Sequence, residues 1–365
     1  MGGMGGGPPR EKRICKPGPE PDVIYLAVTK TPPFSLGWEL LPEVSRSFAL
    51  VIRCLPRRLD DAVMVSYLLC RIADTIEDSL RPVAEKRRML AGFAASLESG
   101  LPELPPEGDY PPVYRRLMGH VPEVLACYRT FEPHVRKLIG ERVLEMCTGM
   151  SKWTDREIVT IPDQNEYCYY VAGLVGKLLT DLFHAYGHVG TRDKAMLDAH
   201  AVEFGLALQK VNIIRDVRGD LQDGRCYWPS EIMERHGVDA STILRPENVS
   251  RALEVMDELV ADQWAYLGAA LRYITFLPAT QLRVRMFCAI PLFMAVATAR
   301  ACQKNPDVFR SPRSVKIPSR MVRSILMRSL SLGSFNPCLQ SWFRRWQRGI
   351  LDKPSPWQAV ASLLP

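Results

Sequence analysis

The chain has 365 residues, of which 47% are hydrophobic; that is ample for a large core and too much for global disorder. Its formal net charge of +7 is local: residues 310–348 carry nine Lys/Arg and no Asp/Glu, leaving −2 for everything else. With no recognition motif beside that charge, nucleic-acid binding is the least supported class. The ten cysteines show no Cys-x-x-Cys spacing and the six histidines do not cluster with them. That pattern argues for reduced cytosolic thiols and against structural zinc.

Residues 1–33 hold a Gly-rich start, several prolines and few periodic apolar positions, which predicts a flexible leader. Helical periodicity begins at about Gly37 and runs to Leu59, carrying the block Ser45-Arg-Ser-Phe. A second helix follows through Tyr67-Leu-Leu-Cys-Arg-Ile-Ala-Asp-Thr-Ile-Glu-Asp78 and stops near Leu80, ahead of Pro82. On it Tyr67, Arg71, Asp74 and Asp78 fall within an arc of about 60° along roughly 16 Å. Next comes a helix from Ala84 to about Leu97, a proline-rich loop from Pro102 to Pro112, and two helices over Tyr114–Met150 broken near Pro133.

Within Ile161–His184, Tyr167, Val171 and Val175 recur at helical spacing, with Ala172, Gly173 and Gly176 permitting close approach by a neighbour or ligand. The stretch Phe204–Asp220 sets Gln209, Asn212, Asp216 and Asp220 within roughly 80° of one helix face, the other positions being largely apolar. Polar groups on so apolar a helix are costly in a core unless something polar meets them. A turn, Asp223-Gly-Arg-Cys-Tyr-Trp-Pro, follows, from which Arg225 and Tyr227 can reach a ligand at the helix end. Further helices are expected over about Pro229–Gly237, Asn248–Phe276 and Pro278–Lys304. The uncharged run Met286–Ala299, interrupted by Pro291, is too short to span a bilayer. The last stretch, with Trp342-Phe-Arg-Arg-Trp-Gln-Arg348, reads as a basic aromatic tail able to lie on an anionic membrane surface or to form an ordinary amphipathic helix.

Two separate helices each offering paired carboxylates, if they face each other, describe a Mg²⁺ site completed by phosphates and water. On spacing alone Asp74-Thr-Ile-Glu-Asp78 also suits a solvated helix face, and a non-catalytic helical scaffold stays open.

Asp74-Thr-Ile-Glu-Asp78, Tyr167-Cys-Tyr-Tyr-Val-Ala-Gly-Leu-Val-Gly176, Leu208-Gln-Lys-Val-Asn-Ile-Ile-Arg-Asp216 and Phe287-Cys-Ala-Ile-Pro291 resemble, in order, the signature blocks of squalene synthases. The Asp-rich pair is shared with phytoene and dehydrosqualene synthases, and the likeness spans roughly Phe34–Ile317. It implies an all-α, single-domain, isoprenoid-synthase-like bundle around a central cavity at 34–330, with 331–365 as the tail. It also implies Mg²⁺-dependent head-to-head joining of two farnesyl diphosphates to presqualene diphosphate, then reduction by NADPH to squalene. The resemblance assigns metal binding to Asp74, Glu77, Asp78, Asp216 and Asp220. Substrate contacts fall to Ser45, Arg46, Ser47, Val171, Val175, Gln209, Asn212, Arg215, Arg225 and Tyr227. Chemistry falls to Tyr67, Arg71, Tyr167 and Phe287, and the reductant to Lys316.

Three departures bear on the second half-reaction. Leu292 stands where squalene synthases have Gln, Pro318-Ser-Arg320 replaces the end of a loop tied to reduction, and Gly219 replaces an acid. Enzymes that stop at presqualene diphosphate, make dehydrosqualene, or prefer geranylgeranyl diphosphate are therefore alternatives. The expected setting is a cytoplasmic monomer without a transmembrane anchor, with peripheral membrane association through the tail as an option.

Overall fold

The computed structural model describes residues 34–99 and 110–348, and among them the chain is helical throughout with no strand. The leader, most of the proline-rich loop and residues 349–365 of the tail lie outside the described residues. In chain order the helices are α1 Ser35–Val44, α2 Arg46–Ile52, α3 Leu59–Glu77, α4 Val83–Ser99, α5 Pro112–Gly119, α6 Val121–Arg129, α7 Pro133–Trp153 and α8 Ile161–Cys168. They continue as α9 Leu174–Ala185, α10 Thr191–Gln222, α11 Ser230–Arg235, α12 Val249–Phe276, α13 Leu282–Cys302, α14 Asp307–Arg310, α15 Ser319–Leu332 and α16 Asn336–Gln347. The stretch expected as two helices after the proline-rich loop is three, because Pro122 and Pro133 each open a new helix where a missing N–H costs nothing.

α10 is the packing axis, in contact with α9, α12, α13 and α14. Its approach to the α8–α9 segment is close enough to exclude side chains. A Cβ on Gly176 would lie 1.8 Å from the Ala201 carbonyl oxygen, and one on Gly205 would lie 2.1 Å from that of Ala172. Two backbones thus touch at this crossing, which only glycine allows.

Between α8 and α9 the helix widens into a π-turn over Tyr169–Gly173. The sequence reading took this region as one regular helix, and 3.6-residue periodicity carries no signal for an inserted residue. What holds the turn is tertiary. The Tyr169 hydroxyl donates to Glu145 on α7 at 2.6 Å, and the Tyr170 ring occupies the space over Gly149, where a Cβ would sit 2.0 Å from its carbons. The entry to α8 is local by contrast, since Thr160 and Asp163 form a reciprocal capping box.

In the C-terminal third one expectation, that of the tail, is corrected. The apolar run belongs to α13, which is 21 residues long and by length and composition passes for a membrane span, yet is mostly buried within the fold. It is a core helix. The aromatic residues of the basic tail are also core residues: Trp342 stacks on Phe293 with centroids 3.5 Å apart, and Phe343 meets Trp264 edge-on at 5.8 Å. Residues 336–347 therefore pack as part of the bundle, and those two rings are not free for a lipid surface. Arg285, fully buried, ties the same region down by donating to the carbonyls of Ile274, Leu277 and Gly333 and to the Asn336 side chain.

Gly176→Ala should destabilise the fold by about 1–3 kcal/mol through forced separation of α9 from α10. Denaturant unfolding of the variant beside the parent checks this.

Candidate active site

α3 and α10 turn their polar stripes into one cavity of about 450 Å³. From α3 come Tyr67, Arg71, Asp74 and Asp78, and from α10 come Gln209, Asn212, Arg215, Asp216 and Asp220. The turn after α10 adds Arg225 and Tyr227, the α8–α9 segment adds Tyr167, Val171 and Val175, and α13 adds Phe287 and Pro291. The rest of the wall is largely apolar, including Phe48, Met146, Leu178 and Phe204. The site thus has a charged region continuous with a greasy one.

Three of the four cavity aspartates are paired with arginines. Arg71 binds Asp74 on its own helix face, Arg225 reaches across to Asp78, and Arg215 grips Asp216 with both Nε and Nη2. Asp220 is pushed up to about 7, first by burial and then by the charges of Asp216 and Asp223, with only partial relief from Arg215. Burial disfavours the charged form of Arg71, but Asp74 and the flanking Tyr67 and Tyr114 outweigh it, so the guanidinium is held more firmly protonated than usual. Arg71 lies 5.7 Å from the Tyr67 ring centre and 5.6 Å from that of Tyr114. Its Nε is buried without a hydrogen-bond partner.

The donor set decides which ligands suit. Among the described residues no three His, Cys, Asp or Glu side chains gather closely enough to hold a metal alone. Carboxylates come in pairs, Asp74 with Asp78 and Asp216 with Asp220. Mg²⁺ is commonly held by one or two carboxylates with substrate phosphates and water filling the octahedron. The pairs fit that ion when a diphosphate is present, and the orphaned Arg71 donor fits the diphosphate.

Five of the expected site residues lie off the cavity wall. Glu77 is 7% exposed and does not line the cavity with the aspartates. Burial, then the Asp74 charge, lifts its carboxyl to about 8. Ser45 caps α2 by accepting the Phe48 N–H, and Arg46 and Ser47 are exposed. Helix α2 turns the fourth member of that block, Phe48, into the cavity, where it packs on Tyr67 at 5.2 Å. Lys316 is exposed and is not part of the lining. Tyr114 was missed because nothing in its local sequence separates it from a core aromatic, whereas Phe48 and Phe204 each sat within a quoted stretch.

Tyr167 is fully enclosed. Its ring stacks on Tyr227 at 4.8 Å and meets Trp153 edge-on at 6.3 Å. Burial, followed by the Glu77 charge, raises its phenol well above the ordinary value, so it stays protonated and acts as a hydrogen-bond donor.

Residues 41–321 match the profile of the squalene/phytoene synthase family. The chain belongs to that family. Its relatives include the squalene synthase of Schizosaccharomyces pombe, 36% identical over 335 residues, covering 87% of this chain and 69% of that protein. Squalene synthase LSS of Botryococcus braunii is 34% identical, covering 79% of this chain and 62% of the relative. A solved complex of TcSQS with a bound ligand superposes with a TM-score of 0.78 at 32% identity, over 85% of this chain and 90% of that one. A dehydrosqualene synthase crystal structure shares the fold, with a TM-score of 0.59 at 24% identity over 82% of this chain and 95% of its own. Membership in the family makes the protein a prenyltransferase with an all-α isoprenoid-synthase fold.

The two raised carboxyls predict a pH dependence. Asp220 and Glu77 keep protons in the folded chain that the unfolded chain has released, so their contribution to stability falls as pH rises from about 4 to about 8. Without added metal, the unfolding temperature of Asp220→Asn should decline less than the parent's between about pH 5 and pH 8. Calorimetry across that range measures the difference, and Mg²⁺ with inorganic pyrophosphate should recover the parent's loss.

Proposed function

We propose that the protein joins two molecules of farnesyl diphosphate head to head to give presqualene diphosphate, and then reduces that product to squalene. The observation that carries the first step is the meeting of two acidic helix faces, interleaved with arginines, over one end of a cavity that is otherwise apolar. A prenyl diphosphate has this same division between a polyanionic head and a hydrocarbon tail.

Asp74 and Asp78 on one side and Asp216 and Asp220 on the other would hold Mg²⁺. Bound there, the ion neutralises the leaving diphosphate and eases its departure. Arg71, Arg215 and Arg225, which pair with Asp74, Asp216 and Asp78, would donate to the phosphate oxygens of a bound diphosphate. Tyr167, protonated and buried beside Glu77, offers an O–H donor near the point where charge separates. The apolar walls keep water from the carbocation left behind. Phe287, 4% exposed and fixed edge-on against Phe183 at 6.1 Å, presents a π system to it.

The reductive step rests on the named relatives alone, since Lys316, the one side chain expected to meet NADPH, does not line the cavity. Lys316 lies on the surface, and Leu292 is fully buried off the cavity wall. That misfit favours, as the second reading, an enzyme that stops at presqualene diphosphate or makes dehydrosqualene.

Incubation of the purified protein with farnesyl diphosphate and Mg²⁺ should release pyrophosphate and form presqualene diphosphate, with squalene appearing only when NADPH is added. Asp74→Ala and Asp216→Ala should each slow pyrophosphate release by about 100-fold or more. An inert parent protein under all these conditions would sink the assignment, and preferential turnover of geranylgeranyl diphosphate would move it to a longer chain length.

A further inference from the structure

Lys210 lies on α10 beside Gln209 but points away from the cavity, and is 2% exposed. Its Nζ sits 2.6 Å from Asp262 on α12 and 3.0 Å from the side-chain oxygen of Gln164 on α8, and lies 4.7 Å from the Tyr266 ring centre. Gln164, itself 3% exposed, donates from Nε2 to the Tyr227 carbonyl at 2.8 Å. An ammonium can only donate, so it claims the amide oxygen and leaves the amide N–H₂ aimed at Tyr227. The polarity of Gln164 is thereby set by a buried charge.

The turn between α10 and α11 is tied elsewhere by Trp228 to the Ile213 carbonyl at 3.1 Å, and by Ser230 and Glu231 to the strap before α8. The Tyr227 carbonyl is tied through Gln164. From that residue the ring reaches back to stack on Tyr167 in the cavity. We infer that Gln164, oriented by the Lys210–Asp262 pair, is a positioning residue that holds Tyr227 against Tyr167 and so sets where the Tyr167 hydroxyl stands during condensation. The inference rests on the reaction proposed above.

Gln164→Glu separates this role from a merely structural one. A glutamate still satisfies Lys210, and with a stronger partner, but offers the Tyr227 carbonyl no donor. The expected result is a folded protein whose kcat for presqualene diphosphate formation falls about tenfold to a hundredfold with KM changed less than about twofold. Its crystal structure should show the Tyr167–Tyr227 ring pair opened beyond 4.8 Å with Lys210 still on Asp262. In a Tyr227→Ala background the same substitution should cost less than about twofold, since the ring to be held is gone. Gln164→Met, which also deletes the donor, carries the same expectations if the glutamate variant does not fold. Parental kcat in these variants, an unmoved ring pair, or an undiminished loss in the Tyr227→Ala background overturns the inference. Lack of turnover by the unmutated protein counts against the proposed reaction instead, and the ring separation still reports on Gln164.

Discussion

The site depends on the balance between carboxylates and guanidinium groups where α3 faces α10. Asp74, Asp78, Asp216 and Asp220 crowd one end of the cavity, where uncompensated negative charge is costly. Arg71, Arg215 and Arg225 offset three of them, and the carboxyl of Asp220 is raised, first by burial and then by the charges of Asp216 and Asp223. The same arrangement suits the metal diphosphate proposed as its ligand, because a cation and an anion arriving together would exchange these internal pairs for external ones with little change in net charge. Chemistry and stability are in tension here, and the fold carries the cost in the residues least well neutralised.

Keeping α3 and α10 opposed requires the rest of the bundle. α10 is held from behind by α12 and from the side by α9 and the π-turn, at a crossing so tight that Gly176 and Gly205 leave no room for a methyl group. The π-turn is in turn pinned to α7 by Tyr169 and Tyr170. Rigid backbone contact on one side and a buried charge network on the other give the cavity wall few ways to relax.

The polar interior is organised in two layers. Facing the cavity are groups available to a ligand: the arginines, the aspartates and the Tyr167–Tyr227 pair. Behind them, Lys210 and Gln164 are buried and bonded to each other, and Lys210 pairs with Asp262, whose side chain is 28% exposed. Neighbouring residues on one helix, Gln209 and Lys210, thus serve opposite layers, because a step of about 100° carries a side chain from one face to the next.

Much of the site was legible in the chain alone. Helical spacing put each carboxylate pair on one face, and apolar neighbours implied burial, because those relations depend only on local geometry. Sequence could not tell whether the two faces meet, that Glu77 is left off the cavity wall, that Phe48 replaces Ser45, Arg46 and Ser47 there, or that Trp342 and Phe343 belong to the core. Each of these depends on which distant surface a side chain packs against. The π-turn is the sharpest case: its residues carry no local mark, and it exists because Glu145 and Gly149, on another helix, accept Tyr169 and Tyr170. Local chemistry is written in periodicity, while the partner that gives it a role is supplied only when the helices pack.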